Sequence, residues 1–171
     1  MIVREYHKYG GISKVVAEIS ERLVNLGHEV HIYTSRWNNT YDNNIIFHKV
    51  PILNLDFLGN VVPRKINKLI KGISFLFFSK FSINTKAYDI IHIHGDSLVK
   101  ADVVTAHSCH KEWLEISKKF VKNPVDWILK NLNPHHWRIL FTEKINYRKV
   151  YKPVFVKKLS FLFVKFFLFS I

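Results

Sequence analysis

Apolar residues follow first a helical and then an alternating spacing near the start of the chain. Over residues 13–26 they recur every three or four positions, which predicts an amphipathic helix. Ser13 can cap the start of this helix, and Gly27 suits the left-handed residue that often ends one. From 29 to 35 apolar and polar residues alternate, which predicts a strand. The chain therefore opens with a helix followed by a strand.

Three further short segments have the composition of strands. Residues 45–50 form one, and residues 89–94 and 102–106 are rich in β-branched residues and almost continuously apolar, as strands covered on both faces are. Helical stretches lie between the strand candidates, and this alternation implies crossover connections within a parallel sheet. The pattern predicts an α/β fold, namely a Rossmann-like parallel sheet with helices on both faces.

A longer amphipathic helix is predicted over residues 63–81. Its apolar side carries Ile66, Leu69, Ile70, Ile73, Leu76 and Phe77. Its basic residues, which mostly face away from that side, include Arg64, Lys65, Lys68 and Lys71. Two interpretations stay open. The helix either covers the sheet and leaves a solvated lysine face, or lies on an anionic membrane surface through its basic residues.

The composition changes abruptly near residue 152. Residues 153–171 are mostly Phe, Leu, Val and Ile, interrupted by Lys157, Lys158 and Lys165. The apolar run at 166–169 is far shorter than the ~20 residues that a spanning helix needs. The segment is therefore either an interfacial anchor or an apolar stretch that lacks its partner. We predict a Rossmann-like domain over 1–152 and a hydrophobic, basic tail over 153–171 outside its core.

Length and charge narrow the classes of protein and partner. The 171 residues suffice for one ordinary domain. A single cysteine, Cys109, suits a reducing compartment, and no secretory signal opens the chain, so we expect a cytoplasmic protein. The net charge of +13 favours anionic partners such as phospholipid head groups or sugar phosphates. Nucleic acid is disfavoured as a partner because the chain has no recognisable binding motif.

Gly10 and Gly11, immediately before the first predicted helix, are the first candidates for chemistry. Glycines let a backbone approach a ligand closely, and the start of a helix offers free N–H groups and the positive end of its dipole. The turn is not the dinucleotide fingerprint G-x-G-x-x-G, and no acidic residue follows the next strand to bind a ribose, which argues against a dehydrogenase. The phosphate-binding motif G-x-x-x-x-G-K-[ST] is also absent from the sequence.

Histidines follow two neighbouring strand candidates. His94 and Gly95 lie at the end of the strand 89–94, and His107 and His110 follow the strand 102–106. Open α/β sheets bind ligands at this edge. Three interpretations compete: a zinc site, for which no fixed ligand set is evident; a nucleophilic pair with Cys109; and neutral histidines that hydrogen-bond a sugar or phosphate or one another. We favour the last and predict no metal site.

Four motifs in order resemble those of a known family. They are G-G-I-S-K-V-V-A-E-I-S-E-R-L, then L-G-H-E-V-H-I-Y-T-S, then Y-D-I-I-H-I-H-G, then A-D-V-V-T-A-H-S-C-H. Together they resemble the amino-terminal domain of the family-four retaining glycosyltransferases, which have the GT-B fold. The resemblance covers about residues 2–152 and is loose over 141–151.

The resemblance implies one half of a two-domain enzyme. In that family the amino-terminal domain binds mainly the acceptor, often a lipid-linked one, and the carboxy-terminal domain binds the nucleotide sugar. No metal or other cofactor is required, and the nucleotide sugar is the donor co-substrate. Carried over to this chain, Gly10 and Gly11 approach the donor diphosphate or the acceptor, and His94 and Gly95 form a strand end at the cleft. His107 matches the histidine beside the transferred sugar.

The chain also departs from the family pattern. Only Ile2 and Val3 remain of the opening strand, and the donor-binding domain is absent from the sequence. We therefore expect a truncated or frame-shifted product: the acceptor-binding half of a sugar transferase, inactive alone, which a separate donor-binding domain would complete. The alternative is a non-catalytic remnant that binds a membrane or an acceptor lipid. The basic residues 64, 65, 68 and 71 then place the protein peripherally on the inner face of a membrane.

Overall fold

The computed structural model describes residues 1–38, 44–95, 97–107, 109–121 and 123–148. Its strands are β1 (Glu5–Tyr6), β2 (Val30–Thr34), β3 (Arg36–Trp37), β4 (Ile45–Lys49), β5 (His92–His94) and β6 (Val103–Thr105). Its α-helices are α1 (Gly11–Asn25), α2 (Arg64–Ser82), α3 (His110–Lys119), α4 (Pro124–Leu132) and α5 (Pro134–Arg148). Two 3-10 helices, Asp56–Val61 and Thr85–Ala87, flank α2. The two predicted helices and four predicted strands thus lie close to α1, α2, β2, β4, β5 and β6, whereas the sequence analysis did not assign β1, β3 or α3 to α5.

The opening residues form the centre of a parallel sheet. Ile2 makes parallel bridges with Tyr33 of β2 on one side and with Ile93 of β5 on the other. Its N–H donates to the carbonyl of His92 at 2.9 Å, and its carbonyl accepts from the N–H of His94 at 3.0 Å. Because β2 pairs with β4 and β5 pairs with β6, both in parallel, the order is β4, β2, residues 1–3, β5, β6. The short opening strand is therefore sufficient to join the two halves of the sheet.

Helices cover both faces of this sheet. On one face, Val16 and Ala17 of α1 pack in an apolar cluster with Val3 and Ile32. On the other face, the cluster around Ile2, Tyr33 and Ile93 includes Phe75 of α2. The adjacent Ile2 and Val3 point to opposite faces, as successive residues of a strand do. The predicted Rossmann-like architecture is confirmed.

Helix α1 begins differently from the sequence prediction. Its N-cap residue is Gly10, which has no side chain, and Ser13 lies within the first turn. The hydroxyl of Ser13 donates to the carbonyl of Glu5 at 2.6 Å and so ties the helix to β1. The predicted capping role of Ser13 is therefore wrong, because the chain turns into the helix three residues earlier. Gly27 does take the predicted left-handed conformation after the helix, with φ +86°.

Helix α2 covers the sheet with a face that overlaps only partly with the predicted one, since Leu76 is buried as predicted but Ile66, Ile73 and Phe77 are exposed. Phe75 is 1% exposed, whereas Ile73 is 49% and Phe77 56% exposed. Two polar side chains of the helix hold the preceding segment: Ser74 Oγ accepts from the N–H of Leu53 at 3.0 Å, and Asn67 Oδ1 accepts from the N–H of Leu55 at 3.1 Å. Partly buried N–H groups are costly without partners, so these bonds help to fix the rotation of the helix.

The described residues from Ala106 onward form a second compact unit, and Met1–Thr105 form the first. In the second unit α3 packs against α5, and Leu114, Thr142 and Asn146 are buried. The predicted boundary at 152/153 and the predicted tail 153–171 lie outside the described residues. Within the described ranges, none of the helices combines the length and the apolar composition needed to cross a membrane.

Candidate functional site

The Gly10–Gly11 turn leaves the start of α1 open. Gly10 has φ +148° and Gly11 has φ +61°, conformations that residues with a side chain rarely adopt. A Cβ atom added to either glycine would meet nothing within 4 Å. No side chain caps the helix at Gly10, and its first turn contains no acidic residue. The turn therefore presents backbone N–H groups and the positive end of the helix dipole, and no acidic side chain in the first turn of α1 competes for them.

The end of β5 lies beside this turn. His94 is the last residue of the strand and is 4% exposed, and Gly95 follows it with φ +84°. A Cβ atom on Gly95 would lie 3.7 Å from Cδ1 of Ile12, in the first turn of α1. The structure thus brings the predicted Gly11 and Gly95 to the same edge of the sheet.

The imidazole of His94 belongs to a polar stack beneath that edge. Its ring centroid lies 3.9 Å from that of His92, and Nε2 of His92 is 2.6 Å from Oγ1 of Thr105 on the neighbouring strand β6. The hydrogen bond of His92 goes to Thr105, and the two histidines meet through their rings. His94 therefore supports the floor of the site, and the two glycines form its open surface.

His107 belongs to the second unit, unlike the other predicted site residues. It is partly buried, and burial lowers the pKa of its imidazole below the ordinary value of 6.5. The side chain is consequently neutral at neutral pH. A neutral imidazole can donate one hydrogen bond and accept another without adding a positive charge.

We expect an NMR titration of the folded protein to give a His107 midpoint below 6.5. The urea-unfolded chain should titrate near its ordinary value. Below pH 6.5 the folded state then binds fewer protons at His107 than the unfolded state does. The contribution of His107 to the free energy of unfolding is therefore complete above the unfolded pKa. It is lost as the pH falls from 6.5 through the folded pKa. The substitution His107→Gln assigns the resonance and removes this part of the pH dependence. A midpoint at or above the unfolded value would contradict the burial of the ring.

Several polar residues of the second unit hold its helices together. Nε2 of His110 lies 2.9 Å from Nδ1 of His136, and Glu143 of α5 accepts hydrogen bonds from the N–H groups of His110, at 2.6 Å, and Lys111, at 3.4 Å. A carboxylate at a helix start is favourable because it meets free N–H groups and the positive end of the dipole. Sequence reasoning missed this cap because its partners lie more than 30 residues apart.

The described residues also bear on the competing interpretations. They contain no group of three or more His, Cys, Asp or Glu side chains placed to hold a metal ion. Cys109 is exposed, and His110 makes the contact with His136 described above. These positions favour a structural role for His110 over a role as a metal ligand.

The four predicted membrane-surface residues fall into two groups. Arg64, Lys65 and Lys68 are exposed on the first turns of α2. Lys71 is only partly exposed, and its ammonium group donates to Oδ2 of Asp56 at 2.7 Å. This hydrogen bond is the main reason why the pKa of Asp56 is lowered. The positive charge of Lys71 is therefore largely balanced within the protein.

Comparison with known proteins agrees with this architecture. The model of Glycosyltransferase Family 4 matches residues 9–149. The fold is similar to the crystal structure of WaaG, a glycosyltransferase involved in lipopolysaccharide biosynthesis, with a TM-score of 0.63 and 16% sequence identity. The similarity covers 84% of this chain and 34% of that one, so this chain spans about a third of the length of WaaG. A search of curated proteins found no match.

The family match covers most of the chain, including the Gly10–Gly11 turn, Gly95 and His107. At this level of identity the similarity to WaaG supports the fold alone. The resemblance inferred from four short motifs is thus confirmed by the family match and by the parallel sheet with helices on both faces. The chain belongs to glycosyltransferase family 4 and has the fold of one half of a GT-B glycosyltransferase.

Proposed function

We propose that this chain is the acceptor-binding half of a nucleotide-sugar-dependent sugar transferase and does not transfer sugar without a donor-binding half. The observation that carries the proposal is the open start of α1 beside the carboxyl end of β5, where Gly95 lies against the side chain of Ile12, the residue after Gly11. Open α/β sheets bind ligands at this edge, and family membership supplies the class of reaction.

The chemistry of these residues suits sugar transfer. Uncapped N–H groups at a helix start can bind a diphosphate or the hydroxyl oxygens of a sugar. His107, which is neutral because burial lowers its pKa, can lie beside a sugar that develops positive charge without repelling it. The nucleotide sugar acts as a co-substrate, and the proposed reaction requires no metal or organic cofactor. The acceptor we propose is a lipid-linked sugar at the inner face of a membrane.

Two measurements test the proposal. In isothermal titration, nucleotide sugars should give no binding heat with the chain alone, whereas native mass spectrometry should detect a lipid-linked sugar acceptor bound to it. Adding the donor-binding domain of a family-four enzyme should then allow radiolabel to pass from the nucleotide sugar to detergent-solubilised acceptor. Sugar transfer by the chain alone would contradict the inactivity. The absence of both acceptor binding and transfer with any donor-binding domain would exclude the acceptor-binding role.

A second candidate function is favoured by the apolar residues that α2 leaves exposed. In this alternative the chain binds a membrane or an acceptor lipid and catalyses nothing. The two candidates differ in one result, since only the first predicts label transfer when a donor-binding domain is present. Membrane binding is compatible with both.

A further inference from the structure

We propose that Glu143 is a positioning residue for His107: the carboxylate holds the start of α3 and thereby fixes the segment that carries the imidazole. Both residues belong to the second unit. The inference rests on the proposed function, in which His107 lies beside the transferred sugar. It adds a residue that touches no substrate and acts only by setting where this imidazole lies.

Helix α3 starts without a cap from its own segment. Its N-cap residue is Cys109, whose side chain makes no capping hydrogen bond. The free N–H groups of a first turn are commonly bound by a side-chain oxygen of the N-cap residue. Here the oxygens come from α5 instead, since Glu143 accepts from the N–H of His110 at 2.6 Å and from that of Lys111 at 3.4 Å. The start of α3 therefore depends on a residue of another helix.

The contacts that hold the start of α3 come from one side of α5. His136 and Glu143 are seven residues apart, which is about two helical turns, so they lie on the same side of that helix. Nδ1 of His136 lies 2.9 Å from Nε2 of His110, and Glu143 binds the N–H of the same residue. Hydrogen bonds to a carboxylate are stronger than those between neutral groups. His110 is thus held to α5 through both its ring and its backbone.

A short length of backbone joins this anchored residue to the imidazole. Only two residues separate His107 from His110. Consecutive Cα atoms are about 3.8 Å apart, so the Cα atoms of His107 and His110 lie within about 11 Å of each other. His107 is partly buried, and burial is the cause of its lowered pKa. A shift of the start of α3 therefore moves His107 and changes how far its ring is buried.

The neighbouring residue on α5 provides a matched control. Thr142 is 1% exposed, and its hydroxyl donates to the carbonyls of Arg138 and Ile139 within the same helix. Thr142→Ala should therefore lower the stability of the unit and leave the carboxylate of Glu143 at the start of α3. The comparison separates a loss of stability from a release of α3.

An NMR titration of His107 in the full chain tests the proposal. Glu143→Ala should raise the His107 midpoint of the folded protein toward 6.5, because release of α3 exposes the imidazole and burial is what lowers its pKa. Glu143→Gln should raise it less, since the amide oxygen still accepts a hydrogen bond from His110. Thr142→Ala should leave the midpoint unchanged. Selective 15N labelling of histidine and lysine reports the amide resonances of His110 and Lys111, which should shift only in the Glu143 variants.

The sign of the shift separates three roles of Glu143. Removing a nearby negative charge would by itself lower the midpoint, since a carboxylate favours the charged imidazole. A residue that only stabilises the unit would leave the midpoint of the folded protein unchanged. Either result, or an equal rise with Thr142→Ala, would overturn the proposal. Circular dichroism identifies the folded variants, and Glu143→Gln supplies the test if Glu143→Ala does not fold.

Sugar transfer gives a second readout. With a donor-binding domain and detergent-solubilised acceptor, Glu143→Ala should lower the rate at saturating acceptor about tenfold or more, because the imidazole is misplaced. Acceptor binding in native mass spectrometry should stay the same, and Thr142→Ala should keep the full rate. Weaker acceptor binding with an unchanged rate would contradict a positioning role. The NMR titration needs no transfer, so it tests Glu143 even if the proposed function fails.

Discussion

Replacing Phe75 by alanine should lower the free energy of unfolding by about 3–5 kcal/mol, whereas Phe77→Ala should change it by about 0.5 kcal/mol or less. Phe75 is 1% exposed and lies in the apolar cluster with Ile2, Ile93 and Val99. Removing its ring takes apolar atoms out of a packed interior and leaves a cavity. The lost free energy of burying those atoms and the cost of the cavity therefore add. Phe77 is 56% exposed and its removal opens no comparable space.

Urea denaturation followed by circular dichroism measures both values. The two substitutions are matched because they remove the same ring from the same helix, two positions apart. Helix propensity therefore changes equally, and the difference reports burial alone. Equal losses of stability, or a larger loss from Phe77→Ala, would show that α2 packs on the sheet through the face that the sequence pattern predicts.

Substituting Gly11 by alanine should reduce sugar transfer about a hundredfold in the mixture with a donor-binding domain. A side chain at Gly11 projects into the open space before α1, where the proposed function needs a close approach of the ligand to the backbone. The substitution also imposes a left-handed conformation on alanine, because Gly11 has φ +61°. That strain costs about 1–2 kcal/mol of stability.

Gly27→Ala is the control that separates the two effects. Gly27 also has positive φ and open space around its Cα, but it follows the other end of α1. Both variants should therefore lose similar stability in urea, and only Gly11→Ala should lose transfer activity. A comparable loss of transfer from Gly27→Ala would attribute the effect to strain and remove Gly11 from the proposed site.

Local pattern predicted the fold well because each element carries its own periodicity. The helix at 13–26 and the strand at 29–35 are observed as α1 and β2, and Gly27 has the expected left-handed conformation. Two predictions failed for different reasons. Helix α1 begins three residues before the predicted cap, so Ser13 lies in its first turn and bonds to the carbonyl of Glu5. The rotation of α2 reflects hydrogen bonds to residues 53 and 55, which hydrophobic spacing does not encode.

The candidate site was predictable only in part for the same reason. Gly11 and Gly95 can be picked out in the sequence because each is a glycine at the end of a predicted helix or strand. Few other residues adopt the backbone conformations that such positions require. The place of the two glycines at the same edge depends on the parallel bridge between Ile2 and Ile93 of β5, which brings the end of that strand to the start of α1. The sequence does not reveal that Lys71 pairs with Asp56 or that Glu143 caps α3, since the partners are 15 and 33 residues apart.

The sequence by itself determined the class of fold, the family and the positions of the glycine turn and strand-end histidines. These features rest on local periodicity, on backbone conformations that favour glycine, and on motifs short enough to be read along the chain. Only the tertiary structure decided which face of α2 meets the sheet and which is left to solvent. Both faces contain apolar residues, so their spacing alone does not show which face meets the sheet. The observed rotation also satisfies the N–H groups of residues 53 and 55, which bond to side chains of α2 far along the chain.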